Sequence, residues 1–435
     1  MRQDPEGSVA HCRNGRSAIG VRLPGRGGGD VTRETVVMVL AGGKGERLWP
    51  LTRDRAKPAV PFGGIYRIID FSLSNAINSG LRQVFVLTQY KSISLTRHMR
   101  RGWGHLSNVM GEFVEAVPAQ QRVGEVWYRG TADAIWQNAY LLDQLKPKPR
   151  FVLVLSGDHV YQMDYTGLLA YHAASGAQVT VCTQERDVAE AGALGVLQVD
   201  ESMRVRGFQE KPDSPLTLPG RPDRVLASMG IYVFNTDFMV RRLAEAAERE
   251  LFDFGLGVLP DMVGREDNVR AFVFGDESSP GYWRDVGTID AYWEANMDLV
   301  STTPALNLYD PEWPVHTYQG RYPPAKFLHD GSIEGGRLGV AVDSIVSTGC
   351  IISGGRIQRC VLSPRVRTNS YSYAFESILM EDVDVGRYAK LRRVIVDKGV
   401  RIPPKTQIGY DPEEDAGRFT ITDSGIVVVP KGYTF

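Results

Sequence analysis

Eight residues, Ala41-Gly42-Gly43-Lys44-Gly45-Glu46-Arg47-Leu48, carry three glycines and two cations. Glycine lets backbone N–H groups come close to an anion, and Lys44 and Arg47 add positive charge, so the stretch suits a phosphate. It lacks the Lys-Ser/Thr ending of a P-loop and is not Gly-x-Gly-x-x-Gly; a plain turn has the same look. Arg55-Ala56-Lys57-Pro58 follows, with two cations around a small residue and a proline stiffening the exit. That is an anion site or a solvated basic turn. Ser156-Gly157-Asp158-His159 closes a strongly apolar run. Asp158 therefore stands at the mouth of a buried strand, where a carboxylate is costly unless a cation such as Mg²⁺ balances it; an Asp capping the next helix is the alternative. Asp285, in Tyr282-Trp283-Arg284-Asp285-Val286-Gly287-Thr288, is a second carboxylate before a helical pattern. Two carboxylates plus substrate phosphates are a common way to hold Mg²⁺. In Glu210-Lys211-Pro212 the adjacent Glu and Lys suit sugar hydroxyls and a phosphate, or else a surface ion pair. Ala227-Ser228-Met229-Gly230 places a small hydroxyl at the start of another strand.

These residues need a scaffold, and the apolar pattern describes one. Val36 to Leu40 is a continuous apolar run, and Val84 to Leu87, Phe151 to Leu155 and Val179-Thr180-Val181 are similar, the form of strands buried on both faces. Helical patterns separate them. Thr131 is expected to cap one through Ala134, Ile135, Ala139 and Leu142, and Asp164 another through Leu168, Leu169 and His172. Strands alternating with helices predict a doubly wound, Rossmann-like α/β sheet with ligands at the C-terminal strand ends. Val196–Asp200 and Val205–Glu210 read as a hairpin. From Ser344 the pattern changes to apolar residues six apart: Ile345, Ile351 and Ile357, then Val385 and Leu391, then Ile402 and Ile408. Neither helix nor strand has that period, but a triangular parallel β-helix does, with Gly354, Gly386 and Gly409 at its corners. Thr368 to Phe375 interrupts the repeat. The expected organisation is a disordered tail over 1–34, an α/β domain over 35–300, a Pro- and Tyr-rich linker over 301–343 and the β-helix over 344–435.

Composition limits the function. The 435 residues carry 50 Lys and Arg against 51 Asp and Glu, which argues against nucleic acid or a polybasic membrane contact. No apolar run approaches a membrane span and the N-terminus lacks the apolar core of a secretory signal, so a cytoplasmic protein is expected. Cys12, Cys182, Cys350 and Cys360 form no CxxC pair and read as buried free thiols, and the seven histidines have no metal-ligand spacing.

In order along the chain, L-A-G-G-K-G-E-R-L (40–48), R-A-K-P-A-V-P-F-G-G (55–64), R-I-I-D-F-S-L-S-N (67–75), P-A-Q-Q-R (118–122), W-Y-R-G-T-A-D-A (127–134), S-G-D-H-V-Y (156–161), E-K-P (210–212), A-S-M-G-I-Y-V-F (227–234) and Y-W-R-D-V-G-T (282–288) resemble the sugar-nucleotide pyrophosphorylases. The bacterial ADP-glucose pyrophosphorylase family is the best match, and W-P-V-H-T-Y (313–318) and P-P-A-K-F (323–327) look like its linker. The resemblance runs from residue 36 to the end. It implies a mostly parallel nucleotidyltransferase sheet followed by a left-handed β-helix, and the reaction of ATP with glucose 1-phosphate to ADP-glucose and pyrophosphate, with Mg²⁺, for α-glucan synthesis. It implies that Arg47 and Lys57 attend the departing pyrophosphate, and that Leu40, Gly42, Gly43, Gln89, Gly130 and Thr131 hold ATP. Tyr128, Gly195, Glu210, Lys211 and Ser228 would hold glucose 1-phosphate, and Asp158 and Asp285 the metal.

The same resemblance implies a homotetramer with phosphorylated sugar or nucleotide effectors bound between the domains by Arg55, Arg67, Arg392 and Arg393. Gln120, Gln121, Arg122, Trp127 and Tyr128 would relay the signal. Asp54 stands where members activated by fructose bisphosphate commonly have Lys, and Pro61 where they often have His. An Asp beside a phosphate site repels it, so a different sugar phosphate is expected. Two rival readings remain: a nucleotidyltransferase for another sugar nucleotide, and a non-catalytic regulatory subunit of the same fold.

Overall fold

The computed structural model describes residues 31–435, apart from 105, 107, 121–126, 276–280, 331 and 333–335. Cys12 and most of the expected tail lie outside the described residues, as do Gln121 and Arg122 of the expected relay loop. Residues 31–34 form a turn whose Val31 packs on the core.

The largely apolar run Thr35–Ala41 is an interior strand of a nine-stranded sheet. Gln83–Thr88 and Phe151–Ser156 flank it, both parallel, and Phe113–Pro118 forms the edge beyond Gln83–Thr88. Side chains alternate across a strand, so the run feeds two cores at once. Val36 and Met38 join Ile135, Met239 and Leu243 on one face. Val37 and Val39 join Ile69, Leu73, Leu168 and Leu169 on the other. That double burial is why the strand is apolar from Val36 onward. On the far side the long strand Arg224–Asn235 runs antiparallel to Phe151–Ser156 and to Val179–Asp187. The expected hairpin forms as Gly195–Val199 with Val205–Glu210 and attaches to Arg224–Asn235.

The helix starts differ locally from the sequence expectation. Thr131 is the first residue of the helix Thr131–Gln137, with Gly130 as its N-cap, and the helical pattern is split, resuming at Tyr140–Gln144. Asp164 accepts from the Thr166 N–H at 2.9 Å, just outside the helix Thr166–Ser175. No helix among the described residues is long and apolar enough to cross a membrane.

The C-terminal domain is a left-handed parallel β-helix of three sheets. Its first rungs lie ahead of Ser344: Lys326–Leu328 pairs with Ile351–Ser353, and Val340–Val342 with Arg356–Gln358. Those strands lack the inward Ile and Val that mark later coils, so the six-residue pattern starts late. The interruption at Thr368 to Phe375 is chemical rather than structural. The rungs Arg367–Thr368 and Tyr373–Phe375 form, with Thr368 and Ala374 buried where larger residues stand elsewhere. Gly354 and Gly409 have positive φ at corners, whereas Gly386 does not; Tyr371, Tyr388 and Lys405 take left-handed corners instead. Cys182, Cys350 and Cys360 are buried free thiols.

One sheet of the β-helix is covered on both sides. Val394–Val396 and Val427–Val429 are buried throughout. Val394, Val396, Val427 and Val429 fill the solenoid, while Ile395 and Val428 pack with Phe62, Phe71 and Tyr292 of the α/β domain. The linker returns across the helix Ile68–Asn78. Trp313 Nε1 donates to Asn75 Oδ1 at 3.0 Å, Asn78 Nδ2 donates to the Pro314 carbonyl at 2.9 Å, and Thr317 Oγ1 donates to Asp70 Oδ2 at 2.6 Å. The W-P-V-H-T-Y motif is thus the docking partner of R-I-I-D-F-S-L-S-N.

Candidate active site

The parallel register sets Leu40 beside Ser156, so the glycine-rich loop and Gly157-Asp158 leave the sheet side by side. Gly45 takes a left-handed conformation (φ 65°), and a Cβ there would lie 2.9 Å from the Lys57 Cβ. The bend is therefore glycine's, and it presses the loop against the stem of Lys57. A short ribbon supplies the second carboxylate. His159–Tyr161 pairs antiparallel with Trp283–Asp285, with Asp285 opposite His159. This brings Asp158 and Asp285 together from segments more than a hundred residues apart.

The Lys57 ammonium lies 3.0 Å from Asp158 Oδ2 and 3.0 Å from Asp285 Oδ1. Arg47 approaches Asp285 at 4.0 Å from the solvent side, and His159 Nε2 stands 3.6 Å from Asp158 and 3.8 Å from Asp285. Burial alone would raise the Asp158 carboxyl; Lys57, His159 and a hydrogen bond from Ser156 outweigh it and hold the group well below the usual carboxylate range. Asp285 is likewise lowered against the pull of burial, mainly by Lys57. Burial alone would lower Lys57, but the two carboxylates raise it above the ordinary lysine value. All three groups are charged at neutral pH.

Lys57 and Asp158 open onto a cavity of about 620 Å³, whereas Asp285, in contact with Lys57, is not part of its wall. Its wall includes Leu40, Gly42, Gly43, Arg47, Lys57, Gln89, Tyr128, Gly130, Thr131 and Asp158, the expected nucleotide and catalytic residues together with Tyr128. Gly130 is there because a Cβ would lie 2.3 Å from the Phe252 carbonyl oxygen. The Arg129 guanidinium bonds the buried Asp133 at 2.9 Å and lies over the Phe252 ring at 3.6 Å, which fixes the wall on that side.

Gly195, Glu210, Lys211 and Ser228 do not line this cavity; they gather around the neighbouring strand Arg224–Asn235. Glu210 reaches toward Gly195 and Gly255 and pairs with Lys211 at 3.1 Å. Ser228 is buried beside Tyr232, whose hydroxyl burial pushes up. Between the two groups stands Asp253, which the sequence reading missed. Asp253 accepts from Gly255 N–H at 2.9 Å and from Thr131 Oγ1 at 2.9 Å, and it also lines the cavity. Its only sequence signal was an Asp before a Phe-Gly turn.

Of the four arginines expected to meet effectors, two come together. Arg55 is buried against Asp397 of the β-helix, at 2.7 and 2.8 Å. Arg67 donates to the Ala59 carbonyl and to Ser94, close enough to Arg55 for their charges to interact. Lys398, also missed, completes the cluster and bonds Glu381 at 3.1 Å. Burial, Arg67 and Arg55 push its pKa down to about 8. Arg393 stacks over Trp293 at 4.9 Å, and Arg392 is exposed on a different sheet. Asp54 is exposed and engaged by Arg53 at 3.2 Å.

Residues 36–302 match the nucleotidyl transferase family, and residues 323–429 the GlmU-like C-terminal hexapeptide family. A glucose-1-phosphate adenylyltransferase of Koribacter versatilis is 54% identical over 407 residues, covering 92% of this chain and 96% of that protein. The protein of the same name from Methylococcus capsulatus is 50% identical over 403 residues, covering 92% and 94%, and that from Thiobacillus denitrificans 52% identical over 404 residues, covering 92% and 91%. The chain belongs to the glucose-1-phosphate adenylyltransferase family. It is a nucleotidyltransferase, a class that generally uses a divalent metal. The donor set fits such an ion. Among the described residues there is no cluster of three or more His, Cys, Asp or Glu built to hold a metal alone. Two ionised carboxylates converging on one point suit an ion whose remaining oxygens come from substrate phosphates.

Proposed function

We propose that this chain joins ATP and glucose 1-phosphate into ADP-glucose and pyrophosphate, feeding α-glucan synthesis in the cytoplasm. The observation that carries the reading is the convergence of Lys57, Asp158 and Asp285 at the mouth of a glycine-lined cavity. An oxygen of the sugar phosphate attacks the α-phosphorus of ATP, and pyrophosphate leaves in line. The nucleophile is already ionised, so no general base is needed and catalysis is positioning and charge neutralisation. Gly42 and Gly43 offer backbone N–H groups to the triphosphate. Arg47 and Lys57 balance charge on the leaving pyrophosphate. Gly130 and Thr131 border the base, and Gln89, which lies against Gly42 and donates to the Tyr128 carbonyl, helps to hold the nucleotide. Gly195, Glu210, Lys211, Ser228 and Tyr128 orient the glucose 1-phosphate, with Asp253 joining the two halves. Asp158 and Asp285 would hold Mg²⁺, which when bound neutralises phosphate charge and aligns the phosphates.

Arg55, Arg67 and Lys398 make a cationic patch between the domains that suits a phosphorylated effector, with Arg392 and Arg393 as further candidates. Family membership supports a homotetramer, which light scattering of the purified protein would check.

The deciding experiment measures pyrophosphate release from glucose 1-phosphate and Mg²⁺ with ATP, UTP, dTTP or GTP. Each is run with and without fructose 6-phosphate, fructose 1,6-bisphosphate or AMP. Turnover chiefly with ATP is expected. Turnover chiefly with another nucleotide overturns the adenine assignment, and none with any nucleotide and effector means a regulatory subunit.

A further inference from the structure

Lys57 is more than nine-tenths buried, and its ammonium is the cation nearest to both acidic groups among the described residues. A divalent ion gripped by Asp158 and Asp285 needs those same carboxylates, at about 2.1 Å for Mg²⁺. An ammonium 3.0 Å from an oxygen of each stands in that space. Two cations so close repel strongly where water is partly excluded. We propose that Lys57 competes with the divalent cation for the gap between Asp158 and Asp285, so that the carboxylate pair grips metal tightly only when nucleotide phosphates draw the ammonium aside. This rests on the assignment of Asp158 and Asp285 as the metal carboxylates.

Each part of the exchange has a physical basis here. Two carboxylates facing each other in a half-buried site are unstable without a cation between them, and Lys57 is that cation. Its stem is pinned by the close approach of Gly45, so the mobile part is the far end of the side chain. Lys57 and the glycine-rich loop line one cavity, so a triphosphate on the loop lies within reach of the ammonium. Metal and nucleotide then bind cooperatively, each raising the affinity of the other.

The test uses Mn²⁺ as probe, with the free ion counted by its paramagnetic resonance signal. The full-length protein, Lys57→Met and Asp158→Asn are titrated without nucleotide and with α,β-methylene ATP. Circular dichroism checks that each variant is folded. Without nucleotide, Lys57→Met should bind Mn²⁺ about tenfold or more tighter than the unaltered protein, because one nearby positive charge is gone; with the analogue the difference should shrink. Equal affinities without nucleotide overturn the competition. Asp158→Asn should weaken Mn²⁺ binding in the presence of the analogue. If it does not, the carboxylate assignment itself fails, an outcome separate from the first. Should Lys57→Met not fold, acylation of Lys57 in the unaltered protein, read by mass spectrometry, decides the matter. Millimolar Mn²⁺ should raise that labelling several-fold, and unchanged labelling rejects the exchange.

Discussion

Asp158 keeps its charge because Lys57, His159 and Ser156 together outweigh the cost of its burial. That charge is what the proposed chemistry uses, and shape alone does not replace it. Asp158→Asn keeps the side chain's size and removes the charge. It should lower kcat by roughly a hundredfold or more while changing KM for ATP far less, since the lost interaction counts most where phosphate charge is redistributed. Steady-state kinetics of pyrophosphate release check this, and near-normal kcat would remove Asp158 from the metal role. His159 was visible in the motif but not its position. Its Nε2 faces both carboxylates, while its ring lies edge-on to Trp283 at 5.2 Å.

At the scale of elements, the helix Thr166–Ser175 is tied to the sheet by His172. One ring nitrogen bonds Thr180 Oγ1 at 2.7 Å and the other Asn235 Oδ1 at 3.3 Å. Burial pushes its pKa from 6.5 down to about 4. Between these values the unfolded chain binds the proton more readily than the folded one. The stabilisation is therefore complete above the unfolded value and is lost as pH falls toward 4. The group should contribute about 3 kcal/mol to the fall in stability across that window. Thermal unfolding from pH 7 to 4.5 would measure it, and His172→Gln should flatten the profile. An unchanged slope in that variant would place the pH dependence elsewhere. The Cys360 thiol, pushed up to about 12 by burial, adds nothing to it.

For the whole molecule, the contact between the two domains combines apolar packing with one enclosed ion pair. Ile395 and Val428 meet Phe62, Phe71 and Tyr292, and Arg55 meets Asp397 with the two side chains 4% and 1% exposed. Asp397→Ala leaves the guanidinium buried without its carboxylate, and should cost about 3–5 kcal/mol. A lower Tm and faster proteolysis of the 301–322 segment are expected. The double variant Arg55→Met with Asp397→Leu should recover most of the loss, because well-packed apolar residues replace a buried ion pair at little cost. A Tm unchanged by Asp397→Ala would mean that the pair does not hold the domains together. Arg55 was expected as an effector ligand. Its engagement with Asp397 means that an effector using it must compete with a carboxylate already in contact.

Much of this protein is written locally. The buried strands were legible because double burial leaves only apolar residues, as in Val36 to Val39. The β-helix was legible because one inward side chain per short side imposes a six-residue step. The glycine-rich loop, Lys57 and the two aspartates were legible as motif members, because they depend on residue type. What tertiary structure decided is what touches across long sequence separations. The ribbon of His159–Tyr161 with Trp283–Asp285 has no sequence signal of its own, yet it is what brings the two carboxylates to one place. Asp253 and Lys398 escaped notice because an isolated charged residue reads as surface until a fold encloses it. The first rungs of the β-helix were hidden because their strands are recognised by their partners in the next coil rather than by their own side chains. Local pattern reports which face of an element is buried; which neighbour buries it is settled only when the sheet and the solenoid close on each other.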